Sequence, residues 1–197
     1  MGDGAILFRE FLRFPFQVGA VLPSSASLAA VAARPVADDG DPVVVELGPG
    51  TGPITQAVQN RLGKRGRHVA VEVNPRLAGL LERRWPDVTV VRGNAVRLPE
   101  ILASLELTAD VVISSLPWAS FGHDLQERLL ASTLASLGDD GVFTAFAYVH
   151  AKPLPPAVRF RRRLDDLFEE VEVSRVVWWN APPAVVYICR GPRRDHR

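Results

Sequence analysis

Three groups of residues between positions 46 and 95 have the types and spacing to hold a nucleoside. Glu46-Leu47-Gly48-Pro49-Gly50-Thr51-Gly52 sets glycines at alternate positions behind an acidic residue. Glycine lets a backbone turn tightly and approach a ligand closely. Pro49 departs from the dinucleotide-binding pattern, and the third glycine comes too early for it. Glu72 lies one strand-helix-strand unit further on, in Val71-Glu72-Val73. A carboxylate there accepts hydrogen bonds from ribose hydroxyls. Gly93-Asn94-Ala95 follows a third apolar run, where a polar side chain can face the edge of an adenine ring. Each has a plain structural reading when taken singly: a turn, a helix-cap carboxylate, a turn asparagine. Together they converge on three successive strand ends, where open parallel sheets bind ligands.

The elements that must position these groups follow from hydrophobic pattern. Short apolar runs at 43–47, 68–73, 88–91, 111–114 and 142–148 read as buried strands. Helical segments are expected at 51–62, 75–85, 99–105 and 121–137, with a later one at 158–168. This alternation predicts strand-helix-strand units and a mostly parallel sheet. Two β-rich runs, 171–179 and 184–189, are joined by Asn180-Ala181-Pro182-Pro183 and predict an antiparallel hairpin at the sheet edge. The loop at 35–42 divides residues 1–40, an N-terminal helical region, from a main domain at 41–197.

Composition bounds the possibilities. A chain of 197 residues suits one domain with a sizeable core. The net charge of +1 gives no whole-chain attraction to nucleic acid, and no nucleic-acid partner is expected. The single cysteine, Cys189, lies in an apolar run and reads as a core residue; no metal cluster is expected. The uncharged stretch 14–33 is long enough to span a bilayer, but Pro15, Pro23, Gln17 and its serines break it. With no targeting segment evident, the expected location is the cytoplasm, with peripheral attachment to a membrane.

From residue 40 to 190 the sequence resembles class I S-adenosylmethionine-dependent methyltransferases. The resemblance implies a doubly wound α/β fold with a seven-stranded, mostly parallel sheet and an antiparallel last strand. It implies that Glu46, Gly48, Gly50 and Gly52 cradle the amino-acid part of S-adenosylmethionine. Glu72 with Val73 would hold the ribose, and Asn94 with Ala95 the adenine.

The fourth strand ends in Ser114-Ser115-Leu116-Pro117-Trp118. Methyltransferases acting on nitrogen carry Asn/Asp-Pro-Pro-Tyr or Asn-Leu-Pro-Tyr at this place. Such a turn accepts the amine N–H bonds and aims the nitrogen lone pair at the methyl group, and the following aromatic forms a wall. Ser115 replaces the usual Asn or Asp, which makes a nucleobase a poorer substrate. Ser115, Leu116, Pro117, Trp118 and Tyr148 are therefore the expected catalytic residues, with Ser114 beside the cofactor. Trp118 and Tyr148 would offer aromatic faces to a cation. Tyr148, His150 and His123 are candidate bases, although desolvation alone lowers an ammonium pKa.

Phe8, Phe11, Leu12, Arg13 and Phe14 belong to a short amphipathic helix with a phenylalanine-rich face. It suits either a membrane interface or a lid on the domain. The blocks Gly19-Ala20-Val21-Leu22-Pro23-Ser24-Ser25 and Asn180-Ala181-Pro182-Pro183-Ala184, with Ser-Leu-Pro-Trp, are similar to bacterial phospholipid N-methyltransferases. That resemblance implies phosphatidylethanolamine and its partly methylated forms as substrates, on the way to phosphatidylcholine. It also implies that Gly19, Ser24 and Ser25 close the cofactor site. Arg159, Arg161, Arg162 and Arg163 form a basic run that suits lipid phosphate, an anionic membrane surface, or a solvated helix face paired with Asp165 and Asp166 equally. An RNA base, a soluble amine, or a non-catalytic cofactor- or membrane-binding role are the alternatives.

Overall fold

The computed structural model describes residues 24–193. The expected helix bearing Phe8, Phe11, Leu12, Arg13 and Phe14, and Gly19 after it, lie outside the described residues.

Thirteen longer elements follow one another as α1 (Ala26–Ala32), β1 (Val43–Leu47), α2 (Pro53–Leu62), β2 (Arg67–Glu72), α3 (Pro75–Arg84), β3 (Thr89–Arg92), α4 (Leu98–Ser104), β4 (Ala109–Ser114), α5 (His123–Ser136), β5 (Leu137–Tyr148), α6 (Pro155–Leu167), β6 (Phe168–Val173) and β7 (Ala184–Pro192). The seven strands form one sheet in the order β3-β2-β1-β4-β5-β7-β6. β1 to β5 run parallel, and β7 runs antiparallel to both its neighbours. This is the doubly wound sheet expected from the alternating pattern.

Strand pleating sends alternate residues to opposite faces. Val45, Leu47, Val69, Val71, Val112 and Phe143 meet α4, α5 and α6 through Leu98, Leu102, Leu129, Leu130, Phe160 and Leu164. Val44, Val111, Ile113, Val186 and Ile188 meet α1 and α2 through Leu28, Ala29, Ile54 and Val58. Leu81 and Trp85 at the end of α3 close over Ala70. Helix starts are fixed locally: Asn74 Oδ1 accepts from the N–H groups of Arg76 and Leu77, with Pro75 in the first turn of α3. Cys189 is fully buried in β7, and desolvation pushes its thiol up to about 12.

Two boundaries differ most from the sequence reading. β5 begins at Leu137 instead of residue 142, pairing with Ala109 before a register shift. The stretch Gly138-Asp139-Asp140-Gly141 has no apolar alternation to reveal this. β6 ends at Val173, not at 179, because the Ser174 hydroxyl accepts the N–H of Val186, 2.9 Å away, in place of a strand carbonyl. Trp178 and Trp179 consequently stand in a turn. Among the described residues, no helix is long and apolar enough to cross a membrane.

Candidate active site

All the parallel strands end at one edge of the sheet, and the residues singled out by sequence collect there. The glycine turn follows β1. Its conformation demands glycine: φ is +68° at Gly48, +61° at Gly50 and +87° at Gly52, in the left-handed region that L side chains avoid. Gly50 and Gly52 need it for different reasons. A Cβ on Gly50 would point into open space beside the Glu72 carboxylate, whereas a Cβ on Gly52 would run into the Trp85 ring. Gly50→Ala is therefore expected to fold, with a stability cost of about 1–2 kcal/mol from the left-handed backbone, and to lose thermal protection by added cofactor. Gly52→Ala is expected to lower the melting temperature much further. Thermal melts of both variants, with and without S-adenosylmethionine, check this.

Glu72 is buried at the end of β2 and braces the turn. Its Oε2 accepts the N–H of Gly50 at 3.1 Å, and its Oε1 accepts the N–H of Asn74 at 2.8 Å. Burial pushes its pKa above the ordinary carboxylate value, against the lowering effect of these backbone bonds. Glu72 thus braces the glycine turn and the approach to α3 at once.

Glu46 is fully buried on β1. Its Oε2 accepts from the Thr55 hydroxyl at 2.7 Å and lies 3.4 Å from His68 Nε2, whose Nδ1 is 3.0 Å from Gln59 Nε2. Glu46 Oε1 has no hydrogen-bond partner. A buried carboxylate oxygen left without a donor is costly. It fits a ligand that brings a cationic N–H donor to this end of β1.

Beside Gly48 lies a cleft of about 470 Å³, its open mouth included. Of the residues singled out by sequence, Gly48, Val73, Asn94, Ala95 and Leu116 line it, whereas Glu46, Gly50, Gly52 and Glu72 do not; it is also lined by Phe121, Leu125 and Leu129. Those last three were not legible as site residues, because helical apolar spacing reads as core. Asn94 Oδ1 accepts the N–H of Val96 at 3.0 Å, which leaves its amide N–H groups to face a ligand.

The Ser114–Trp118 turn is built differently from the aromatic wall expected. Ser114 Oγ accepts from Leu116 N at 3.3 Å and Trp118 Nε1 at 3.0 Å, folding the indole inward. Trp118 is 3% exposed, stacked on Phe160 at 4.3 Å and edge-on to Phe121 and Phe143. The ring is a pillar behind the cleft; Leu116 and Phe121 present the apolar surface. Ser115 and Pro117 stay half-buried at the rim. Tyr148 ends β5 half-buried, edge-on to Phe146 and stacked with His150. Burial raises its pKa, so its hydroxyl is protonated at neutral pH and makes a weak base. His123 sits on the surface at the start of α5, beside Asp124.

The arginines of α6 are mostly engaged. Arg161 pairs with Asp165 at 2.7 Å and lies over the Tyr187 ring, Arg159 Nε donates to Gln126 Oε1 at 3.1 Å, and Arg163 pairs with Glu127 and Asp166. Arg162 alone of the run is exposed. Ser24 is half-buried, and Ser25 Oγ caps α1 by accepting Leu28 N, while Ser25 N donates to Asn180 Oδ1 at 2.8 Å. The Pro-Ser-Ser and Asn-Ala-Pro-Pro blocks, far apart in sequence, meet through that bond. Among the described residues, no cluster of three or more His, Cys, Asp or Glu could hold a metal ion.

The sheet order, the left-handed glycine turn and the carboxylate closing β2 define a class I S-adenosylmethionine-dependent methyltransferase. The fold agrees with that of human methyltransferase-like protein 13 in complex with SAH, at a TM-score of 0.60 and 17% identity, covering 87% of this chain and 82% of that one. The chain is 33% identical over 202 residues to the ornithine lipid N-methyltransferase of Singulisphaera acidiphila, covering 99% of this chain and 100% of that protein. It belongs to that enzyme's family, the lipid N-methyltransferases, and its cofactor is S-adenosylmethionine. It is also 35% identical over 83 residues to a probable ribosomal RNA small subunit methyltransferase A of Thermococcus onnurineus, covering 40% of this chain and 26% of that one. No protein-family model matches the chain.

Proposed function

We propose that this protein methylates the primary amine of an aminolipid at a membrane surface. One observation carries the reading: identity to a lipid N-methyltransferase covers 99% of the chain, whereas that to a probable ribosomal RNA methyltransferase covers 40% of it. Ornithine lipid is the first substrate, from that relative. Phosphatidylethanolamine is the second, favoured by the two blocks similar to phospholipid N-methyltransferases and by their contact at Ser25 and Asn180. Both substrates present a primary amine to water while their chains stay in the bilayer.

S-adenosylmethionine, when bound, supplies a methyl group on a positively charged sulfur. Glu46 Oε1 is placed to accept from the cofactor's ammonium. Gly48, Gly50 and Gly52 give its amino-acid part room. Glu72 accepts from the ribose hydroxyls, with Val73 beside the sugar and Asn94 and Ala95 at the adenine. Phe121, Leu125 and Leu129 cover the base and exclude water. Ser115, Leu116 and Pro117 form the rim against which the amine is oriented, and orientation supplies most of the rate. Tyr148 offers an aromatic face to the cation. The ammonium of the substrate sheds its proton to water as the rim and rings desolvate it. The reaction would take place on the cytoplasmic side of a membrane, with Phe8, Phe11, Leu12, Arg13 and Phe14, outside the described residues, as candidate lipid contacts.

Expressing the chain in a bacterium that makes both lipids, followed by mass spectrometry of its lipid extract, tests the reading. Methylated ornithine lipid, methylated phosphatidylethanolamine, or both are expected. An unchanged lipid profile alongside active, cofactor-binding protein contradicts it.

A further inference from the structure

Among the described residues, the large hydrophobic side chains left exposed are Val73, Leu154, Val158, Val173, Trp178 and Trp179. They are far apart in sequence, yet topology gathers them at one edge. Val73 follows the last residue of β2, and Leu154 and Val158 sit where the chain leaves β5 and enters α6. Val173 ends β6, which is antiparallel to β7 and so runs with β5. Trp178 and Trp179 occupy the β6–β7 loop, which meets the end of β5 where Ala184 pairs with Tyr148. This is the edge that carries the glycine turn, Glu72 and Ser115.

The two tryptophans are the extreme case, at 72% and 90% exposed. Their loop is firmly held. Val177 and Ala184 form a bridge, and Asn180 N donates to Val177 O at 3.3 Å. Asn180 is itself buried, donating to Pro182 O at 2.7 Å and accepting from Ser25 N. Val149 N donates to Pro183 O at 2.9 Å, tying the loop to the β5–α6 connection. A rigid turn that projects two large indoles into water loses the hydrophobic contribution of both. Charge points the same way. Lys152 and Arg175 stand exposed in these two loops with no ion-pair partner among the described residues, and neither loop contains an acidic residue.

We propose that the β5–α6 and β6–β7 loops form a membrane-docking platform. In it, Trp178 and Trp179 seat at the headgroup level of an anionic bilayer, and Lys152 and Arg175 meet its phosphates. Tryptophan favours this interface, where one part of the ring is apolar and the N–H stays wet, and basic side chains beside it meet negative headgroups. The platform rests on the lipid reading above, and it turns the mouth of the cofactor cleft toward the membrane that holds the substrate amine.

The test uses the full chain and vesicles of phosphatidylcholine and phosphatidylglycerol with no aminolipid, so that no turnover is needed. Of the four tryptophans, Trp85 and Trp118 are buried, so quenching by lipids brominated along the acyl chain reports on Trp178 and Trp179. Strong quenching is expected for the wild type. The double variant Trp178→Ala/Trp179→Ala is expected to bind these vesicles on the order of tenfold or more weaker, with cofactor affinity and melting temperature unchanged. Lys152→Glu/Arg175→Glu is expected to abolish the preference for phosphatidylglycerol. Unquenched wild-type fluorescence on bound vesicles, or a double variant within twofold of wild type, overturns the platform. Either result leaves the lipid reading standing, because that depends on methyl transfer. A wild type that docks through its tryptophans yet methylates no lipid breaks the lipid reading alone.

Discussion

Replacing Glu72 by Gln is expected to weaken S-adenosylmethionine binding by about 100-fold, the worth of hydrogen bonds to a charged acceptor. The carboxylate serves two sides. It holds the glycine turn through Gly50 N and the α3 approach through Asn74 N, and it would keep lone pairs for the ribose. Glutamine keeps one acceptor oxygen and turns an N–H toward the other donor. Relief of a buried charge offsets that loss, so the melting temperature is expected to move by only a few degrees at neutral pH. The pH dependence separates the two effects. Burial raises the folded-state pKa of Glu72 above 4.5, so the folded chain holds this proton more tightly than the unfolded chain. The contribution of this group to stability is then fully present below its unfolded pKa and is lost as pH rises through the folded value. Cofactor binding needs the ionised acceptor and follows the opposite course. Acidification from neutral pH should weaken cofactor binding while this group favours folding, and Glu72→Gln should flatten both. Titration calorimetry and thermal melts across that range measure the two together.

Trp118→Ala is expected to cost about 3–5 kcal/mol of stability, a fall in melting temperature on the order of 10 °C. The ring is enclosed by Phe121, Phe143 and Phe160, and its N–H is satisfied by Ser114 Oγ. Truncation removes the stacked core and takes away one of the two donors to that hydroxyl, leaving Leu116 N. An exposed substrate wall would behave otherwise, with activity lost and stability kept. Thermal unfolding of the purified variant distinguishes the two. Because Trp118 backs Leu116 and Phe121, cofactor affinity should fall as well.

Much of the site was legible because its chemistry is carried by backbone conformation and by strand ends. Three alternating glycines and an acidic residue one unit later can be found from pattern alone, and the structure joins them through the bond from Gly50 N to Glu72, with Gly48 lining the cleft. The direction of Trp118 could not be read. Ser-Leu-Pro-Trp names an aromatic after a turn, but the bond from its indole to Ser114 decides which way the ring faces. Phe121, Leu125 and Leu129 were hidden for a related reason, since an apolar helix face looks the same whether it covers a ligand or a core. The helix at α6 and the pairing of its arginines with Asp165 and Asp166 were legible, but Glu127 and Gln126 were not, because they come from α5. Trp178 and Trp179 read as part of a strand because aromatic and β-branched residues favour strands. The Ser174 hydroxyl ends the ladder earlier, and the loop that results carries the most exposed apolar surface described.

The central claim is methyl transfer to a lipid amine, and one measurement addresses it most directly. Purified protein is incubated with methyl-labelled S-adenosylmethionine and, in parallel, with vesicles containing ornithine lipid, vesicles containing phosphatidylethanolamine, and RNA. Label in the amine headgroup of either lipid, strongest with ornithine lipid and absent from RNA, is the predicted result. Label confined to RNA, or no label in any lipid from protein that binds the cofactor, would contradict the account.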